Sequence, residues 1–152
     1  MPVPYGPAIA IILRVHLTAA GELPPSLAHR VQLLVEAARA EGVDPVDVVG
    51  LCVMESGLRY RARRASLCGC QPYNTDDRAQ ARCAARSYAA GLVRCGTPEG
   101  AVSRYVWGRC SLSRGTTERR RWWRDHVIVY TRSWSRIVAT MRDTHPGIAY
   151  NR

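Results

Sequence analysis

The chain has 152 residues, a formal charge of +10 and six cysteines. That length fits one domain with its own hydrophobic core, and 47% hydrophobic with 22% charged residues is globular composition, which argues against disorder. No apolar run approaches the ~20 residues of a membrane span: the longest, Ala8 to Leu13, stops at Arg14, and Met1 to Pro7 carries none of the basic side chains that open a secretory signal.

Helical spacing dominates, and no alternating run is long enough for a sheet. A first helix is predicted over 7–19, before Gly21 and Pro24-Pro25 break the chain. Ser26 is read as the cap of a second helix reaching about Glu41, with Leu27, Val31, Leu34, Val35 and Ala38 on one face and Gly42 ending it. Asp44-Pro45 restarts a helix that runs to about Leu58 and is apolar nearly all round, which predicts a central, buried position. Residues 59–75 read as a loop. Asp76 and Asp77 open a fourth helix to about Arg94, and Thr97-Pro98 opens a fifth to about Trp107. A long helix over 117–141 carries Trp122, His126, Val127, Tyr130, Trp134, Ile137 and Met141 on one face.

Glu55 is the anomaly, because it ends the most apolar helix of the chain. Carboxylates are rarely buried without a partner, and desolvation raises their pKa. A carboxyl still protonated near neutral pH can serve as a general acid. The competing reading is a helix-end Glu that faces solvent or pairs with Arg59 at i+4.

The residues around Glu55 carry a resemblance. Ala37 to Pro45 contains Gly42-Val43-Asp44-Pro45, and Val48 to Leu58 leads into Glu55-Ser56-Gly57. Ala62 follows seven residues after Glu55, then Gly69-Cys70-Gln71, then Ala101 to Gly108 with Tyr105 inside it. In order, these segments resemble the catalytic core of the lytic transglycosylases, which have the goose-type lysozyme-like fold. The resemblance spans about 28–110. It departs from the family at Gly69-Cys70, where the family has Leu-Met, at Val106, where the family has Asn, and in a shorter loop before Gln71.

The resemblance implies an all-α, lysozyme-like single domain of about six helices over 1–152, with 28–110 as catalytic core and 117–141 as a C-terminal helix. It implies cleavage of the MurNAc–GlcNAc β-1,4 bond of peptidoglycan with a 1,6-anhydro product and no cofactor. Glu55 would be the catalytic acid and base, Tyr105 would hydrogen-bond and orient it, Ser56 would support it, and Gln71 would bind substrate. Tyr73 offers a flat apolar face for a sugar. Only one carboxylate is needed, unlike the usual glycosidase pair. Asp76 and Asp77 are assigned to capping; if either reached the cleft, hydrolytic lysozyme action would be open. A virion or injection-machine component that keeps the fold as a structural part is the second hypothesis. The implied partners are glycan strands, with phage tail or secretion-machine proteins beside them, and the implied location is the periplasm, the wall or a virion.

The six cysteines are Cys52, Cys68, Cys70, Cys83, Cys95 and Cys110, and an even count suits disulfides in an oxidising place. If helices four and five form an antiparallel hairpin, Cys83 and Cys110 lie at matching heights, whereas Cys95 and Cys110 stand on the order of 18 Å apart by helix rise. Cys83–Cys110 is therefore the expected bridge, with Cys52 a buried free thiol. Cys68-x-Cys70 lacks zinc-ligand spacing, and His16, His29, His126 and His145 form no ligand pair.

All 22 basic residues are Arg. Their charge favours polyanions such as nucleic acid, acidic lipid or bacterial wall, or else they cover solvated helix faces. Arg119 to Arg124, with Trp122 and Trp123, reads either as a nucleic-acid or membrane patch or as a helix with Trp inward and Arg outward. The Glu-Ser-Gly context makes nucleic acid the lesser reading.

Overall fold

The structure, a computed structural model, describes residues 25–58, 66–71, 76–110 and 118–144. Five helices make up its regular structure: α1 (Pro25–Ala40), α2 (Pro45–Ser56), α3 (Asp77–Cys95), α4 (Pro98–Trp107) and α5 (Glu118–Thr144). No strand occurs among the described residues, so the class is all-α. The helix expected over 7–19 lies outside them.

Helix ends follow local chemistry. Asp44 caps α2 by accepting from Val46 N, and Pro45 opens the helix. Asp76 caps α3 through Ala79 N, and Thr97 caps α4 through Gly100 N. Gly57, Gly96 and Gly108 close α2, α3 and α4 in the left-handed conformation. With Ser26 expected as the cap, the second predicted helix would open at Leu27; it begins two residues earlier, at Pro25, so Ser26 lies inside α1.

α2 is the central element, as its all-round apolarity predicts. Every residue from Pro45 to Met54 is buried, and the helix packs against α1, α3 and α5. Each buried Val, Leu or Met there contributes up to about 1.5–3 kcal/mol. α5 crosses α2 closely at Gly50, where an added Cβ would meet Val138 Cγ2 at 2.9 Å. Val127, Tyr130, Trp134, Ile137 and Met141 of α5 are all buried, as its stripe predicts.

One buried carboxylate joins three helices. Asp47 of α2 accepts from Tyr88 Oη at 2.7 Å on α3 and from Arg142 Nη2 at 3.4 Å on α5, while its carbonyl accepts from Trp134 Nε1 at 3.0 Å. Burial pushes its pKa above the usual carboxylate range, against the hydrogen bond from Tyr88.

The disulfides correct the sequence expectation. Three bridges form: Cys52–Cys68, Cys70–Cys83 and Cys95–Cys110. Cys83 does not pair with Cys110, and Cys52 is not a free thiol. The helix-rise estimate treats the chain beyond α4 as straight. Instead, it turns at left-handed Gly108 and runs back along α4. Ser103 Oγ donates to Arg109 O at 2.9 Å, and Cys110 O reaches the Gly100 end of the helix. The Cys95 and Cys110 Cα atoms are thereby 5.2 Å apart.

Candidate active site

The apolar run of α2 carries Glu55 to the end of the central helix, where Gly57 turns the chain. Leu58 follows at φ 59, a left-handed value that non-glycine residues rarely adopt, with its side chain buried. Ser56 ties this corner to the segment 66–71. Its hydroxyl donates to Leu67 O at 2.7 Å and accepts from Leu58 N at 3.1 Å.

Segment 66–71 is held from several sides. Cys68 is bonded to Cys52, one turn before Glu55 on α2, and Cys70 is bonded to Cys83 on α3. Buried Gln80 of α3 accepts from Cys70 N at 3.1 Å and donates to Cys70 O at 2.8 Å. Tyr105 of α4 donates its hydroxyl to Cys68 O. Between the two cysteines stands Gly69 at φ +68, with its amide on Ser66 Oγ. A Cβ on Gly69 would lie 2.6 Å from Glu55 Oε2, so the absent side chain makes room for the carboxylate.

On its other side Glu55 meets α5. Tyr130 Oη donates to Glu55 Oε1 at 2.7 Å. Glu55 is exposed as a whole residue, while Gly69 and Tyr130 crowd its carboxyl. Burial raises its pKa, and the Tyr130 hydrogen bond works against that rise. Among the described residues, the hydrogen bond to its carboxyl comes from Tyr130.

No protein-family model, curated protein or solved structure matches this chain.

The residues singled out by sequence divide as follows. Glu55, Ser56 and Tyr105 gather around segment 66–71, and Gln71 lines an open groove beside it. Tyr73 lies outside the described residues. The resemblance implies a hydrogen bond from Tyr105 to Glu55, but here the Tyr105 hydroxyl goes to Cys68 O and Tyr130 bonds the carboxylate. Tyr105 is still close enough for the charge of Glu55 to add to the rise in phenol pKa that burial causes. Val106 is half-buried against the core. Asp76 is a helix cap, and Asp77 pairs with Arg30 at 3.4 Å. Among the described residues no group of His, Cys, Asp or Glu could hold a metal ion, and no helix is long and apolar enough to cross a membrane.

Sequence reasoning missed Tyr130, Gln80 and the cradling role of Gly69. Tyr130 carried a usable signal, since a tyrosine on an otherwise apolar stripe needs a partner for its hydroxyl once buried.

Proposed function

We propose that this chain is a peptidoglycan lytic transglycosylase with Glu55 as its single acid and base, in a lysozyme-like fold. The observation that carries the reading is the setting of Glu55. It is one carboxyl with a raised pKa on an exposed residue, hydrogen-bonded by Tyr130 and seated against Gly69.

A protonated Glu55 gives its proton to the glycosidic oxygen as the C1–O4 bond of the muramyl residue breaks. The resulting carboxylate then takes the proton of the muramyl C6 hydroxyl, whose oxygen closes on C1. No water enters, the product is the 1,6-anhydro sugar, and Glu55 ends protonated as it began. A pair of carboxylates is what a hydrolytic glycosidase ordinarily uses.

Three disulfides suit an oxidising location such as the periplasm, the wall outside the cell or a virion. The arginine-rich charge suits an anionic wall. The reading is tested by the products released from purified peptidoglycan. Anhydro-muropeptides from wild type and none from Glu55→Gln support it, whereas no cleavage by a folded wild-type protein refutes it.

A further inference from the structure

Beside the Glu55 corner lies an open groove of about 560 Å³. Gly69 and Gln71 form one wall, α3 contributes Cys83 and Arg86, and α4 contributes Arg104 and Tyr105. The lining holds two guanidinium groups and no carboxylate. Their circumstances differ. Arg86 is a surface side chain whose Nε donates to Glu41 Oε1 at 3.2 Å, so its charge is already answered. Arg104 is half-buried, and none of the ion pairs among the described residues involves it.

A half-buried guanidinium that makes none of these ion pairs is disposed to take an anion, and it grips a carboxylate best with two N–H groups. A glycan of N-acetylglucosamine is neutral. Its muramyl neighbour carries a lactyl ether ending in a carboxyl group. That group is either free or amide-linked to a peptide stem that brings carboxylates of its own. We infer that Arg104 is the anchor for a carboxylate on the muramyl substituent, so that this groove selects acid-bearing strands over neutral ones. The inference rests on the peptidoglycan reading above and adds a specificity residue to it.

A cation in the last turn of α4 also suits the helix dipole. Arg104→Lys keeps that charge and loses the two-pronged grip, whereas Arg104→Gln loses both. The experiment is calorimetric binding to the full chain carrying Glu55→Gln, so that nothing is cleaved, with and without each Arg104 change. Three soluble tetrasaccharides are the probes: a muramyl strand with stems, the same strand with stems removed, and an N-acetylglucosamine tetramer. Arg104→Gln is expected to weaken a carboxylate-bearing strand by about tenfold or more, with Arg104→Lys between it and the parent. The neutral tetramer should weaken by less than about twofold. The strand that loses affinity identifies the carboxylate, lactyl or stem. Equal weakening of all three probes, or of none, overturns the inference while leaving the peptidoglycan reading in place. If the parent binds no strand and wild type cleaves no wall, both fall.

Discussion

Tyr130 and Glu55 stand 75 residues apart in sequence and 2.7 Å apart in space, phenol oxygen to carboxylate oxygen. The pair joins the C-terminal helix to the central one at the point where the proposed chemistry occurs. Because the phenol donates, it favours the charged form of Glu55 and restrains the rise that burial causes.

Tyr130→Phe removes that restraint. The Glu55 pKa then moves further up, and the acid stays protonated to higher pH. The alkaline limb of the pH profile for wall cleavage, measured as kcat/KM, should shift to higher pH relative to wild type. An unchanged limb with unchanged kcat would show that the hydrogen bond does not tune the acid.

Gly69 and Gly96 separate backbone strain from site chemistry. Both have positive φ, but a Cβ at Gly96 meets nothing within 4 Å, whereas one at Gly69 meets Glu55 Oε2 at 2.6 Å. Gly96→Ala should cost about 1–2 kcal/mol in urea unfolding and leave cleavage near wild type. Gly69→Ala should cost at least as much and also abolish most cleavage. Equal activity in the two variants would contradict the cradle.

The disulfides divide in the same way. Cys70–Cys83 and Cys95–Cys110 close segments of similar separation, 13 and 15 residues. Replacing either pair by alanines should therefore cost about 3 kcal/mol. Only the first pair holds segment 66–71 beside Glu55. Cys70→Ala with Cys83→Ala should lose activity at temperatures where the chain is still folded, while Cys95→Ala with Cys110→Ala keeps it. Melting curves and cleavage rates on the same samples decide this.

Much of the fold was legible because its punctuation is local. Thr97-Pro98 and Gly108 bound α4 as read, and the apolar circumference of α2 placed it at the centre. The face of α5 was right in Val127, Trp134, Ile137 and Met141. What failed depended on the path of the chain through space. Cys95 meets Cys110 only because the backbone doubles back at Gly108, a reversal that helix rise alone cannot describe. Tyr130 lies on the buried face that spacing gives it, but spacing does not name Glu55 as the partner of its hydroxyl. Gln80 sits in an Ala-rich and Arg-rich helix with nothing local to mark it, yet it clamps Cys70 through both ends of its amide.

Asp47 gives a stability prediction with a definite sign. Burial raises its folded pKa above the unfolded value, so the native chain binds more protons than the unfolded one and stability falls as pH rises. Its stabilising share is complete below the unfolded carboxylate range and is lost as pH climbs through the raised folded value. Glu55 acts in the same direction. Urea unfolding from about pH 4 to about pH 8 should show this decline, at most about 1.4 kcal/mol per pH unit for each proton. Asp47→Asn keeps an acceptor for Tyr88 and should flatten the curve. A wild-type curve that rises across this range would contradict the assignment.

Mass spectrometry of muropeptides released from purified peptidoglycan tests the central claim most directly, with wild type and Glu55→Gln run side by side. The account predicts muramyl products one water lighter than hydrolytic fragments from wild type, and none from a Glu55→Gln protein with the wild-type circular dichroism spectrum. Fragments of full hydrolytic mass, or equal release by both proteins, would contradict Glu55 as the lone acid and base of an anhydro-forming reaction.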